Sequence, residues 1–213
     1  MFKEVKELMA SKKMSFWSRI KAEFTTTALV LIPIGIAINQ IGRWIHTILG
    51  LPVWLDTIGT MFMAMLCGPW VAAIGGFLTN VATALIYGMP TSVFYGFVQL
   101  GIGLFAGFAV IKGWMRKWWQ LPLVGIALAL ISTLISTPIG VLVRGGVSGQ
   151  GVDAVYAFFL ATGTGIWESV FASRFLTDLL DKAVISIYLA WFAVKNLPNK
   201  YSKIFSYVKY IRK

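Results

Sequence analysis

The class of this protein is decided by residues 92–111, SVFYGFVQLGIGLFAGFAVI, a stretch of 20 residues that carries no charge. A bilayer core is about 30 Å thick, and an α-helix needs about 20 mostly apolar residues to cross it. Backbone groups in lipid must be hydrogen-bonded within their own segment, so a crossing segment of this kind is a helix. Residues 92–111 therefore predict a transmembrane helix.

Other apolar segments, separated by short polar breaks, lie on both sides of this stretch. The predicted spans are residues 25–41, 55–67, 71–87, 92–111, 121–143 and 175–194. Segment 154–174 is apolar, but Gly163, Gly165 and Glu168 interrupt it, so we expect a re-entrant or interfacial outer segment there. The sequence thus predicts an all-α integral membrane protein, a bundle of six transmembrane helices.

Composition and charge agree with this class. Hydrophobic residues make up 58% of the chain and charged residues 13%, against about 25% charged in soluble domains. The net charge of +11 would suggest nucleic-acid binding in a soluble protein. Here most Lys and Arg residues fall before the first span, between the fourth and fifth, and after the last. With six spans, the positive-inside rule places these clusters and both termini in the cytoplasm.

Three regions are predicted: a cytoplasmic leader (1–24), a membrane domain (25–194) and a basic cytoplasmic tail (195–213). In the leader, Phe2, Val5 and Leu8 recur at helical spacing between lysines, which favours an amphipathic helix on the inner leaflet over a disordered basic leader. The tail has the same pattern. The first span lacks a cleavage site of the signal-peptide type, so we expect it to be retained.

Polar residues within spans are expensive in lipid and usually face a cavity or a partner. The predicted topology places nearly all of them in the outer half, which indicates a site that opens outward and no passage through the membrane. The candidate substrate-binding residues are Trp44, Trp54, Asp56, Asn80, Tyr87, Tyr95, Gln99, Arg144, Tyr156, Trp167 and Glu168.

Several of these residues have structural alternatives. Asp56 suits the N-cap of a helix, with ligand contact as an additional role. Arg174, Asp178 and Lys182 are spaced four apart, which favours an internal ion-pair ladder. The outer aromatic residues are typical either of a headgroup belt or of a flat-walled pocket for a planar ligand. His46 is expected in a loop and not at a metal.

Motifs for catalysis and for metal binding are missing from the sequence. Single cysteine and histidine residues, Cys67 and His46, exclude Cys-cluster and two-His zinc sites. The sequence has neither G-x-S-x-G nor a Walker A motif. We therefore predict no catalytic residue, no metal and no cofactor for this chain. Gly103-x-x-x-Gly107 predicts a close helix contact, within the bundle or with a partner.

Four short motifs carry a family resemblance: LDTIGT at 55–60, GPW at 68–70, GGFLTN at 75–80 and GIGLFAG at 101–107. With them, residues 25–194 resemble a substrate-binding S component of the energy-coupling factor (ECF) vitamin transporters, in the riboflavin-transporter-like branch. The resemblance implies six helices and an outward pocket in a prokaryotic plasma membrane protein. Many members carry A-x-x-x-A in the first helix, whereas here Pro33-x-x-x-Ala37 or Gly35-x-x-x-Asn39 stands nearest.

The resemblance also implies partners, namely a membrane scaffold subunit and two cytoplasmic ATPases that consume the ATP. The substrate would be a vitamin. The Trp-rich outer loops and a fifth loop rich in glycine suit a bulky ligand, so cobalamin is the first expectation and a riboflavin- or pyridoxine-like compound the next. The alternatives are an integral membrane enzyme acting on lipid-like substrates and a stand-alone secondary carrier.

Overall fold

The computed structural model describes residues 16–212, and all regular structure within them is helical. Most of the predicted leader helix, including Phe2, Val5 and Leu8, lies outside this range. The helices are α1 (Phe16–Glu23), α2 (Thr26–Leu49), α3 (Ile58–Cys67), α4 (Pro69–Tyr87), α5 (Ser92–Ile111), α6 (Leu121–Arg144), α7 (Asp153–Ala161), α8 (Ile166–Asp178), α9 (Ile187–Lys195), α10 (Asn199–Ser202) and α11 (Val208–Arg212). A 3₁₀ turn, Trp118–Gln120, precedes α6, and a π-helical segment, Leu179–Ser186, joins α8 to α9.

Within residues 16–212, four helices are long and apolar enough to cross a membrane: α2, α4, α5, and α6 with its preceding turn. The prediction of a helical membrane protein is confirmed at this level. Helix α5 has the predicted bounds, and α4 and α6 lie within two residues of theirs. Helix α2 is longer than expected, because it continues from the predicted span through Arg43 and His46 to Leu49.

Consecutive long helices run in opposite directions, so the bundle has two distinct ends. At one end, Glu23 accepts a hydrogen bond from the backbone N–H of Trp70 at 2.8 Å, and Trp191 donates to the carbonyl of Met115 at 2.8 Å. We call this the lysine-rich end, because Lys112 and Lys117 lie there. At the opposite end, which we call the cavity end, Arg144 donates to the hydroxyl of Thr91 at 2.9 Å. The starts of α2, α4 and α6 thus lie together, opposite the start of α5.

Helix α3 is the centre of the bundle. Its 10 residues rise only about 15 Å, so it is too short to cross a bilayer alone. The side chains of Met61, Met63 and Met65 are fully buried in it. A Cβ at Gly35 or at Gly75 would collide with Met63, so these two glycines let α2 and α4 close around the short helix.

Segment 154–174 differs from the prediction. Only α7 is a separate short helix. From Ile166 the chain is helical without interruption through the π-helical segment to Lys195, so the last long helix begins at 166 and not at 175. Of the residues that suggested a break, Gly163 and Gly165 precede the helix and Glu168 is exposed in its first turn, whereas the polar residues that follow, Ser169, Ser173 and Arg174, are buried against the rest of the protein.

The basic tail folds back onto the bundle instead of forming one continuous amphipathic helix. Tyr207, Val208 and Ile211 are buried in the core cluster. The guanidinium of Arg212 donates to the carbonyl of Val194 at 3.0 Å, which ties α11 to the end of α9. Of the apolar face that we expected to lie on the membrane, Val208 and Ile211 therefore pack on protein, whereas Tyr201 and Ile204 are exposed.

Candidate functional site

A single sizeable polar cavity lies at the cavity end of the part of the chain that the structure describes. Its empty volume is about 560 Å³, counted to its open mouth. Helices α2, α4, α5, α6 and α8, the π-helical segment and the adjoining loops contribute side chains to it. Six of the predicted site residues line it: Trp54, Asp56, Asn80, Tyr95, Gln99 and Arg144.

A chain of hydrogen bonds around the start of α3 fixes part of the cavity wall. The buried amide of Asn39 donates to the hydroxyls of Thr60 at 2.9 Å and Thr79 at 3.1 Å. Thr60 in turn donates to Gln99 Oε1 at 2.8 Å, and Gln99 Nε2 donates to the carbonyl of Asp56 at 2.9 Å. The amide of Gln99 is thereby held in one orientation at the cavity wall.

Asp56 does not cap α3, contrary to the capping alternative. The start of α3 is satisfied instead by Asn39, whose Oδ1 accepts from the N–H of Gly59 at 2.7 Å. The carboxylate of Asp56 pairs with Arg43 at 3.1 Å. The preceding residue, Leu55, has a φ of +52°, which is strained for a side chain of this size and turns the chain just before Asp56. This turn directs the chain from the loop toward the cavity wall.

Two guanidinium groups lie close to the ring of Tyr95. The Cζ atoms of Arg144 and Arg174 are each 5.4 Å from the centre of its ring. Arg174 Nη2 also donates to the hydroxyl of Tyr95 at 3.1 Å. Arg144 is held by Thr91 and by the carbonyl of Ser148 at 3.2 Å. We call Arg144 and Arg174 the arginine pair.

A buried cluster of charged side chains lies at the floor of the cavity. Lys182 Nζ contacts Asp178 Oδ1 at 2.7 Å and Asp181 Oδ2 at 3.0 Å, and all three side chains are almost completely buried. The predicted pairing of Asp178 with Lys182 is present, whereas Arg174 turns to Tyr95. Ser186 donates to Asp181 Oδ1 at 2.6 Å across five residues, a spacing that the wide turn of the π-helical segment accommodates. Such π-helical segments are frequent at functional sites.

Five predicted site residues do not line the cavity. Trp44, Tyr87 and Trp167 are between 40% and 61% exposed, and Glu168 is exposed as well. These positions fit the headgroup-belt alternative for the aromatic residues. Tyr156 is buried in a smaller adjoining pocket that it shares with Trp54 and Arg174.

His46 is also placed differently from the prediction. It lies in α2, not in a loop, and only 1% of it is exposed. Its ring packs edge-to-face on Trp54, with 6.0 Å between ring centres. Gly42 makes this possible, because a Cβ there would collide with the carbonyl of Leu55 and keep the following loop away from α2.

Other lining residues were missed as site residues. The charged and amide residues among them are Arg43, Gln150, Arg174 and Lys182, and the hydroxyl residues are Thr57, Ser92, Ser132, Ser136 and Ser148. A signal existed for part of this set. Ser132 and Ser136 lie one turn apart in a helix that is otherwise almost wholly apolar, so they mark one polar face of α6.

Several buried polar atoms around the cavity lack a hydrogen-bond partner within residues 16–212. They are Arg43 Nε, Thr57 Oγ1, Ser136 Oγ and Gln150 Oε1, each on a lining residue. Buried polar atoms are paired in the great majority of cases, so this group is available to a polar solute. Within residues 16–212, His, Cys, Asp and Glu side chains form no group of three that could hold a metal ion.

No family model, curated protein or solved structure matches this chain. The chemistry of the cavity is therefore the guide to its function.

Proposed function

We propose that this chain is the substrate-capture (S) component of an ECF-type importer, which binds a vitamin or related micronutrient from outside the cell. The observation that carries the proposal is a polar cavity at one end of an apolar helical bundle, closed underneath. Ile102 is the deepest α5 residue of its lining, and Ala106 and Leu128, farther toward the lysine-rich end, are fully buried. A cavity of this shape receives a solute and offers it no path to the other side.

The proposed topology has six crossings with both termini in the cytoplasm. Helices α2, α4, α5 and α6 supply four of them, the central α3 with its flanking loop supplies one, and the continuous helix from Ile166 to Lys195 supplies the last. Lys112, Lys117 and Lys203 belong to the lysine-rich end. The positive-inside rule orients this end to the cytoplasm, so the cavity opens outward.

The volume of the cavity bears on the size of the solute. The 560 Å³ includes open solvent at the mouth, and only about 60 Å³ is enclosed space. This small enclosed space favours a solute of pyridoxine or riboflavin size over a bulky one. Cobalamin, the first expectation from the loops, is much larger and would leave most of its surface outside.

Partners follow from the closed shape. Release toward the cytoplasm needs work that this chain has no nucleotide motif to supply, so we assign the work to a scaffold subunit and two ATPases. A stand-alone carrier is the rival hypothesis, and proteoliposomes distinguish the two. Uptake by this chain alone would support the carrier, and no uptake without partners supports the capture subunit.

The test is binding to the purified full-length protein. We expect mass spectrometry of the purified protein to detect a bound micronutrient. Calorimetry should find submicromolar affinity for one of riboflavin, thiamine, folate, biotin, pantothenate, pyridoxine and cobalamin. Trp54→Ala, at the cavity, should weaken that affinity at least tenfold. Trp114→Ala, a matched change at an exposed tryptophan of the lysine-rich end, should not.

Failure of every vitamin to bind would contradict the capture function. The enzyme hypothesis would gain support from lipid turnover that depends on Asp178 or Glu168.

A further inference from the structure

We infer that the solute held in this cavity carries a carboxylate or phosphate group, and that Arg144 and Arg174 bind that group beside Tyr95. The inference rests on the proposed capture function for the rest of the solute, whereas the anion site itself is tested separately below.

The first argument is the charge balance of the cavity. Arg43 is neutralised by Asp56 at 3.1 Å, and Lys182 contacts both Asp178 at 2.7 Å and Asp181 at 3.0 Å. Within residues 16–212, neither Arg144 nor Arg174 has a carboxylate within 4 Å. With Asp181 counted, the formal charges around the cavity leave an excess of one positive charge, and neither member of the arginine pair has a contacting counterion in the described part of the chain.

The second argument is burial. Arg174 is only 6% exposed. An arginine does not lose its proton in proteins, so it cannot escape burial by becoming neutral. A buried charge without a partner is strongly unfavourable, and a bound anion removes that penalty. The quadrupole of the Tyr95 ring compensates only in part.

The third argument is geometry along one face of α6. Ser136, Gly140 and Arg144 follow each other at intervals of four residues, so they lie on successive turns of that face. A Cβ at Gly140 would collide with Arg174 Nη2, so the guanidinium of Arg174 lies directly over this glycine. The hydroxyl of Ser136, 4% exposed and without a partner in the described chain, lies one turn deeper.

These donors suit an oxyanion. The guanidinium group presents its N–H donors in a planar fork that matches carboxylate and phosphate oxygens. The guanidinium of Arg174 makes one hydrogen bond to the described protein, to Tyr95, and its other N–H groups remain for a ligand. Thr91 and the carbonyl of Ser148 hold Arg144 in place before any ligand arrives.

The first measurement uses inorganic phosphate. The apparent unfolding temperature of the full-length protein is followed in neutral detergent as sodium phosphate replaces sodium chloride at constant ionic strength. A ligand that binds the folded state raises this temperature, and we expect a rise of about 2–4 °C for millimolar affinity. Arg174→Gln and Gly140→Ala should each lose the rise.

Two controls separate the anion site from a general effect of charge or fold. Gly140→Ala keeps both arginines and adds only a methyl group that displaces Arg174, and alanine favours a helix, so the variant should fold. Arg116→Gln removes an exposed arginine of the lysine-rich end and should keep the full response to phosphate.

The second measurement uses solutes that differ in one anionic group. Riboflavin is compared with flavin mononucleotide, and pyridoxine with pyridoxine 5′-phosphate, by calorimetry. The anionic member of the pair that binds should do so at least tenfold more tightly. Arg174→Gln should lower its affinity about 30-fold or more and leave the neutral member nearly unchanged.

A lipid headgroup offers the same chemistry, so the thermal measurement is repeated with phosphatidylglycerol and phosphatidylcholine in the micelles. A rise with phosphatidylglycerol, absent in Arg174→Gln, supports the anion site and assigns its ligand to the membrane. Equal affinity for neutral and anionic solutes, without any response to phosphate, overturns the anion site and leaves the capture function standing. A response to phosphate with no vitamin bound supports the anion site and contradicts the capture function.

Discussion

At the scale of single residues, the lysine-rich end depends on one carboxyl group. Glu23 is 7% exposed and accepts hydrogen bonds from the N–H of Trp70 and the hydroxyl of Tyr207, both at 2.8 Å. It joins the end of α1, the start of α4 and the tail. Burial raises the pKa of Glu23 to about 7, against the ordinary value of 4.5. Burial also raises the pKa of Tyr207, which keeps this hydroxyl a donor.

The raised pKa predicts a pH dependence of stability. The folded state holds the Glu23 proton more tightly than the unfolded state between pH 4.5 and about 7. The free energy of unfolding should therefore fall as the pH rises through this window, by on the order of 3 kcal/mol, and level off above it. Glu23→Gln should remove this slope in denaturation measured at several pH values. Glu168→Gln, at an exposed carboxylate, should keep it, and an unchanged slope in Glu23→Gln would contradict the assignment.

Asn39 is the second residue whose single change should be costly. Its buried amide donates to Thr60 and Thr79 and accepts from the N–H of Gly59, so Asn39→Ala leaves a helix start without its partner and removes one of the two hydrogen bonds of each hydroxyl. We expect a loss of about 2–3 kcal/mol in the free energy of unfolding, measured by denaturant titration in micelles. The matched control is Asn196→Ala, whose amide is exposed. Equal losses in both variants would show that the Asn39 network is not stabilising.

The site could be predicted from the sequence only where a residue was both polar and out of place. Charged and amide side chains in apolar helices, such as Asp56, Asn80, Gln99 and Arg144, are costly in lipid and so point to a cavity. Hydroxyl side chains such as that of Ser136 cost less free energy in lipid, so they are a weaker indication of a cavity. Exposed aromatic residues such as Trp44 could not be separated from cavity residues, because the same side chain suits a headgroup boundary and a pocket wall.

At the scale of helices, close packing of α4 on α5 is set by glycine. A Cβ at Gly103 would lie 2.5 Å from the backbone nitrogen of Ala73, and one at Gly107 would collide with Pro69. The predicted Gly103-x-x-x-Gly107 element therefore makes its contact inside the bundle. Helix backbones approach this closely in membranes only where small residues allow it.

Gly103→Ala should accordingly destabilise the protein, because the atoms that a new methyl group meets are backbone and cannot move aside. We expect a loss of about 1–3 kcal/mol, measured as a lower unfolding temperature in detergent. Gly101→Ala is the control on the same helix. Its new methyl group meets only the ends of the Ile131 and Ile135 side chains, at 3.3 and 3.0 Å, which can rotate away. Equal losses in the two variants would count against backbone contact as the cause.

Helix boundaries could be predicted where contact with lipid sets them. They could not be predicted where contacts with other parts of the protein set them. Helix α5 presents a long apolar run, and its predicted bounds are those observed. The helix from Ile166 to Lys195 contains buried polar residues and a π-helical segment. Its Arg174, Asp178 and Lys182 face other side chains of the protein and not lipid. A hydropathy pattern carries no information about such partners, so the prediction began this helix nine residues late.

At the scale of the whole molecule, the two ends differ in charge and in structure. The lysine-rich end is held by the tail and by Glu23, and the cavity end carries the candidate site. The single cysteine, Cys67, is buried in the core, so the natural chain offers no accessible thiol to a reagent added from outside. The protein is therefore a convenient background in which to place one thiol at either end.

Labelling of such thiols in intact cells tests the orientation on which the capture function depends. Val147→Cys places a thiol in an exposed loop at the cavity end, and Lys203→Cys places one in the exposed tail. A maleimide that does not cross membranes should label Val147→Cys in intact cells and Lys203→Cys only after lysis, since the positive-inside rule keeps the lysine-rich end in the cytoplasm. Labelling of Lys203→Cys from outside would turn the cavity toward the cytoplasm. A solute captured there could not come from the medium, and the protein would have to act on a solute that the cell already holds.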